Sequence, residues 1–234
     1  MGQDPAGQLV VIEDAVVACR RCPRLVEWRE TAPQRAPRAL RGKVYWARPV
    51  PGWGDPQARI YVLGLATSAN GGNRTGRPFT GNPTADRLMA ALHGARLASQ
   101  PTSRERDDGL QMRDVWMGSA VRCAPPQNRP TAQEQRNCLP FLEAELRALV
   151  CLRVVLALGR LAWGRALELL SDGATVRFAH GAEQPTETGS TVLRSYHPSP
   201  QNMNTGRLTV AMLDAVVTRA VTLAKESQPA NSTA

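Results

Sequence analysis

Four of the five cysteines fall as two pairs, Cys19 with Cys22 and Cys123 with Cys138, and the pairs lie far apart along the chain. Two thiolates with two residues between them can bite a single metal ion or one edge of a cluster. The second pair must arrive from a different element, so one four-thiolate site would clasp the N-terminal segment to the middle of the fold. Tetrahedral thiolate sets serve zinc and iron–sulfur clusters alike, and the spacing does not choose between them. Disulfides are the competing chemistry. The opening Met1-Gly2-Gln3-Asp4-Pro5 is polar and lacks the basic start and apolar stretch of a secretory signal, so a reducing, cytoplasmic setting is the expectation. Cys151, inside Leu149-Val150-Cys151-Leu152, reads as a buried structural thiol.

Three further stretches carry unusual chemistry. Gly64 to Asn82 contains five glycines, which allow close backbone approach to a ligand, with Arg74 and Arg77 as phosphate partners and Phe79 as a lone aromatic able to stack on a flat base. The bland alternative for Phe79 is a plug over the core. No Gly-Lys-Ser/Thr follows, so the loop is not a nucleoside-triphosphate P-loop. Cys123-Ala-Pro-Pro-Gln-Asn-Arg-Pro130 begins at a proposed thiolate ligand and presents Asn128 and Arg129, although an Asn before Pro130 can simply cap a turn. His197-Pro-Ser-Pro-Gln-Asn202 holds an imidazole beside two prolines that fix its backbone. The other two histidines read as structural or solvated: His93 lies on a helical pattern and His180 in a Gly-flanked turn.

The elements around these loops explain why they should meet. Strand patterns cover Arg59–Leu65, Val115–Val121, Arg153–Leu158 and Val192–Tyr196. Helical patterns cover Gln8–Trp28, interrupted at Pro23, then Thr84–Ala95, Thr131–Leu149 with a capping box at Thr131 and Glu134, Arg160–Leu170, and Leu208 to about Ala224. The alternation predicts an α/β fold with a four-stranded, mainly parallel sheet flanked by helices in three layers. In such a sheet ligands bind outside the carboxyl ends of the strands, where all three loops begin. Residues 1–227 read as one domain, 228–234 as a disordered tail, and 100–113 as a polar, mobile segment; Thr31 to Gly54 reads as an ordered crossing with little regular structure.

The chain of 234 residues carries a net charge of +9 and a pI near 10.2, with arginine supplying nearly all of the positive charge. Arginine forks suit phosphates, so a polyanionic partner is favoured. No apolar run approaches membrane-spanning length.

Taken jointly, Gly64–Asn82, Val121-Arg-Cys-Ala-Pro-Pro-Gln-Asn128, His197-Pro-Ser-Pro-Gln-Asn202 and the Cys19/Cys22 pair resemble the uracil-DNA glycosylase superfamily, specifically its family 5, the iron–sulfur enzymes called UDGb. The likeness spans roughly residues 15 to 210. It implies a [4Fe-4S] cluster on Cys19, Cys22, Cys123 and Cys138, and hydrolysis of the N-glycosidic bond of uracil and other deaminated bases such as hypoxanthine, flipped out of DNA. It further implies that Ala66, Thr67, Phe79 and Ser119 bind the base, that His197 donates to the base carbonyl, and that Asn128, Asn82 and Asn70 orient water or base. Arg74, Arg77 and Arg129 would contact phosphates. Gln201, Asn202 or Met203 would fill the gap left in the duplex. The resemblance also implies a monomer acting at the nucleoid.

Two residues depart from the family pattern. Asn82 stands where an acid is common, and Asn70 where a histidine is. An amide does not accept a proton at neutral pH, which points to a dissociative reaction in which water needs only placement. Asp86 is a substitute acid on paper, but its place a turn into a helix predicts a surface ion pair instead. Ser119, where the related family 4 has a base-reading asparagine, predicts relaxed base selection. The competing readings are a catalytically weakened binder of damaged DNA and, without the resemblance, an electron-transfer protein.

Overall fold

In the computed structural model, residues 4–171 and 178–226 are described; the expected tail at 228–234 lies outside them. Two helices open the chain, α1 (Pro5–Val17) and α2 (Pro23–Glu30). Pro23 interrupts the helical pattern as expected and occupies the first turn of α2, where its missing N–H costs nothing. The cysteine turn is the break between the two helices.

The sheet follows, with β1 (Trp53–Gly54), β2 (Ile60–Ala66), β3 (Val115–Val121), β4 (Val154–Leu158), β5 (Glu183–Pro185) and β6 (Thr191–Ser195). Its order is β1-β3-β2-β4-β6-β5. The inner four strands are parallel, with Gly64 opposite Ser119 and Leu158 opposite Ser195. Six strands replace the expected four because β1 and β5 add short antiparallel edges. At two and three residues, these are too short to show a periodic pattern.

Remaining helices are α3 (Gly72–Thr75), α4 (Pro83–Gly94), α5 (Ala132–Ala148), α6 (Arg160–Leu170), α7 (Pro200–Asn204) and α8 (Val210–Lys225). Alternate strand residues feed two cores. Ile60, Val62, Met117, Leu156 and Leu193 meet Leu88 of α4 and Val216 of α8, while Tyr61, Leu63, Trp116, Val155 and Val192 meet Leu142 of α5 and Trp163 of α6. Covering both faces yields three layers and explains strands that are apolar along their whole length. The capping box opens α5 as expected: Thr131 accepts from Glu134 N, and the Glu134 carboxylate accepts from Thr131 N. Such a cap stabilises a helix by about 1 kcal/mol.

Two expectations are corrected. The 100–113 segment is tied down: Ala98 and Met112 form a bridge, Gly81 N donates to Ser103 O, and Ser103 is fully buried. Its polar composition reflects service to buried arginines rather than solvation. Cys151 is only partly buried and its thiol donates to Gln57 Oε1, because the run holding it ends a helix instead of entering the core.

Candidate active site and thiol cage

The loops leaving β2, β3, β4 and β6 share the carboxyl edge of the sheet, as the parallel register requires. Phe79 has φ +49°, a left-handed backbone that a bulky residue adopts only when its surroundings enforce it. The loop thereby turns the ring back onto β2: a Cβ built on Gly64 would lie 2.8 Å from Phe79 Cζ and 3.6 Å from Ser119 Oγ. Only glycine at 64 leaves room for this close approach. Phe79 is half-buried and packs on the α4/α8 core, so it both borders that core and lines the strand ends. Ser119 is buried on the neighbouring strand.

Asn70 and Asn82 are both held by the protein. Tyr45 Oη donates to Asn70 Oδ1 at 2.8 Å. Asn82 caps α4, its Oδ1 accepting from Ala85 N at 3.0 Å while its Nδ2 donates to Ser68 Oγ at 3.0 Å. Gly71 makes room for that second contact, since a Cβ there would collide with both partners. Thr67 is buried; its Oγ1 donates to Arg122 O and its N to Val121 O, which leaves its side chain no free proton to offer a base. Ala66 is half-buried against the cysteine cluster. Asp86 sits 3.7 Å from Arg104 Nε, the ion pair its position suggested.

His197 leaves β6 next to Gly159, which follows β4 with φ +95°; a Cβ at 159 would meet His197 Cβ at 3.5 Å. Part of the imidazole remains open to solvent, yet it is packed deeply enough that burial lowers its pKa to about 4. The ring is therefore neutral at physiological pH and offers one N–H donor. Its backbone is fixed by Asn202, whose Nδ2 donates to His197 O at 2.8 Å, and by Ser199, which caps α7. His180 accepts from Tyr196 N and stacks on the Tyr196 ring, bracing the residue before the imidazole.

The expected DNA contacts divide. Arg74 and Arg77 are corrected, because both are buried and bonded within the protein. Arg74 forks onto Glu105. Arg77 binds Asp108, Ser103, Thr80 and Arg106 O, and lies 4.6 Å over Trp53. Asn202 is occupied with His197, and Met203 packs on the core, which leaves Gln201 as the exposed member of its trio. Asn128 and Arg129 are exposed on the loop after β3, with Asn128 at φ +56°.

The four cysteines Cys19, Cys22, Cys123 and Cys138 line one small cavity of about 10 Å³, together with Arg29, Arg122 and Phe141. Among the described residues no three His, Cys, Asp or Glu side chains close around a single ion. Burial pushes the Cys123 thiol up to about 12, against the pull of Arg29, and raises Cys138 as well. Arg29 Nη1 donates to Cys123 Sγ at 3.1 Å, and Asn137 Nδ2 to Cys22 Sγ at 3.3 Å. Arg29 Nε has no hydrogen-bond partner although it is buried. Sequence reasoning missed Arg29. It sits among the charged residues Arg24, Glu27, Glu30 and Arg35, a setting that reads as solvated surface until the fold buries it.

The chain belongs to the uracil DNA glycosylase superfamily, whose family model matches residues 51–220. It is 50% identical over 216 residues to a type-5 uracil-DNA glycosylase of Pyrobaculum aerophilum, covering 92% of this chain and 93% of the relative. It is likewise 50% identical over 214 residues to the type-5 enzyme of Thermus thermophilus, covering 89% and 95%. A type-4 uracil-DNA glycosylase of Thermotoga maritima is 31% identical over 153 residues, 64% of this chain and 69% of the relative. The likeness to the type-5 members runs nearly the whole length of each chain and places this one beside them. No helix among the described residues is long and apolar enough to cross a membrane.

Proposed function

We infer that this chain is a DNA glycosylase of base excision repair, hydrolysing the N-glycosidic bond of uracil in DNA. The observation that carries the chemistry is His197, a neutral imidazole fixed at the carboxyl edge of the sheet that also presents the Phe79 ring on Gly64. As the base leaves, negative charge grows on its carbonyl oxygens. A partly desolvated N–H donor aimed there stabilises that charge more than the ground state, and removing one such donor typically costs about 10²-fold or more in rate. Because the ring stays neutral, it stabilises the leaving base by hydrogen bonding rather than by transferring a proton. Phe79 stacks on the extruded base. Asn82 spends its amide on Ala85 N and Ser68, so water is placed rather than deprotonated, and the base departs before water attacks.

Ser119 presents a short hydroxyl beside Gly64 and Phe79, which supports a slot that also admits larger deaminated bases such as hypoxanthine. We further propose that Cys19, Cys22, Cys123 and Cys138, which converge on one small cavity, hold a [4Fe-4S] cluster. Their sulfurs ring a space instead of closing on one ion, Arg29 and Asn137 already donate to two of them, and the buried Arg29 Nε lacks an acceptor. When bound, such a cluster would cross-link the turn between α1 and α2, the helix α5 and the loop after β3, and its ligation would keep as thiolates two groups that burial otherwise holds protonated.

One assay tests the reading. Purified protein is incubated with duplexes containing uracil or hypoxanthine, treated with alkali and examined for strand cleavage. Cleavage at uracil is expected, with weaker cleavage at hypoxanthine. Binding to uracil DNA without cleavage would instead favour a weakened damage-binding protein, the reading that an amide in place of an acid at Asn82 favours second. A brown protein whose visible absorbance is lost in Cys138→Ser supports the cluster, and a colourless wild type with no iron refutes it.

A further inference from the structure

With Arg74 and Arg77 buried, Arg129 is left as the exposed one of the three arginines expected to meet phosphate, and further contacts must come from elsewhere. From Thr31 to Gly54 the chain contains no Asp or Glu, but it contains Arg35, Arg38, Arg41, Lys43 and Arg48. This stretch is built of short 3-10 turns, Ala32–Arg35 and Arg38–Leu40, and an irregular run. Arg38, Arg41, Lys43 and Arg48 are exposed. Arg35 is committed to Trp28, its guanidinium 3.8 Å from the ring centre.

The strap is anchored to the base loop. Tyr45 Oη donates to Asn70 Oδ1, Trp46 N donates to Arg74 O at 2.9 Å, and Ala47 N to Asn73 O at 3.0 Å. Gly76 lies against the Trp46 ring, where a Cβ would be 2.9 Å from Cδ2. Val44, at the tip between Lys43 and Tyr45, is 90% exposed. The exposed Lys43 thus stands two residues from a contact to Asn70, in a stretch with no acidic residue to neutralise its charge. Resting on the glycosylase reading above, we propose that residues 38–48 form a phosphate-binding strap that grips the DNA backbone beside the extruded nucleotide, with Arg38, Arg41 and Lys43 as its main contacts.

The test is the salt dependence of DNA binding. Each phosphate neutralised contributes about 0.9 to the slope of log K against log salt concentration. The triple variant Arg38→Gln, Arg41→Gln, Lys43→Gln should therefore flatten that slope by roughly 2 to 3 and weaken binding about tenfold or more, equally for uracil-containing and undamaged duplexes. A control removes the same charge from the exposed Arg113, Arg147 and Arg153, of which Arg113 and Arg153 precede β3 and β4 at the opposite edge of the sheet. The proposal is overturned if the strap variant binds with the wild-type slope, or if the control flattens the slope as much. Uracil release by the wild type is scored separately: its absence sinks the glycosylase reading, whereas release with an unchanged strap slope sinks only the strap.

Discussion

Replacing Asn82 by Asp asks whether this site lacks only a negative charge beside the sugar from which the base departs. In the native chain the Asn82 Oδ1 caps α4 through Ala85 N, and Nδ2 donates to Ser68 Oγ. An aspartate fits the same space. One oxygen keeps the cap, the other accepts from the Ser68 hydroxyl, which reverses from acceptor to donor. The new charge lies at the amino end of a twelve-residue helix, where a carboxylate is worth about 0.3 to 1 kcal/mol. Asp86, in the first turn of the same helix, offsets some of this through like-charge repulsion of about 0.2 to 0.5 kcal/mol. The net change in stability is therefore small, at most a shift of about 2 to 4 °C in melting temperature. The catalytic effect should be much larger. Because the base departs before water attacks, the carboxylate acts on the positive charge that grows on the sugar in that step; a fixed group stabilising transition-state charge is worth about 10² or more in rate, so single-turnover uracil release should rise by about a hundredfold at neutral pH. That gain should vanish as pH falls through the carboxylate range. An unchanged rate in a folded Asn82→Asp protein would refute the reasoning, since the residue would then be a helix cap and nothing more.

His197→Ala should lower single-turnover uracil release by about a hundredfold or more. Because burial holds the His197 pKa at about 4, below its unfolded value near 6.5, the wild-type rate should show no inflection from this group between pH 5 and 8, as a pH profile would reveal. The linked stability is fully present above pH 6.5 and is lost as pH falls toward 4, which thermal melts across that interval would record. Arg77→Met removes the buried partner of Asp108 and should destabilise the fold by about 3 to 5 kcal/mol in urea melts, while leaving the salt slope of DNA binding unchanged.

The parallel core of the sheet was legible because its strands are apolar on both faces, and the loops after β2, β3 and β6 were legible because their glycines, prolines and single aromatic or imidazole are unusual in composition. The two edge strands were not, since two or three residues cannot show a period. The arginines were the hardest to read. Arg74, Arg77 and Arg129 carry the same charge in loops of similar character, and only the acceptors supplied by residues 103–108, far away in sequence, decide that the first two are buried. The same long-range pairing hides Arg29. A local pattern reports which faces are apolar, but not whether a carboxylate or a sulfur will arrive from elsewhere to make a buried charge tolerable.

The thiol cage and the base loop form one mechanical unit. Arg29 joins Cys123 Sγ to the carbonyl of Cys19, and its own carbonyl accepts from Asn73 Nδ2 in α3, inside the glycine-rich loop. On the other side of that loop, Thr67 bonds Val121 O and Arg122 O, the two residues ahead of Cys123. Arg122 is in turn paired with Glu145 of α5, which also accepts from Tyr61 Oη and Gly52 N. A displacement of Cys123 therefore reaches Thr67 through the backbone and Asn73 through Arg29, at both ends of the segment that folds Phe79 onto Gly64. A cluster closing the cage as proposed would therefore fix both ends of the loop that carries Phe79, acting on the site through Arg29 and Thr67 without touching it.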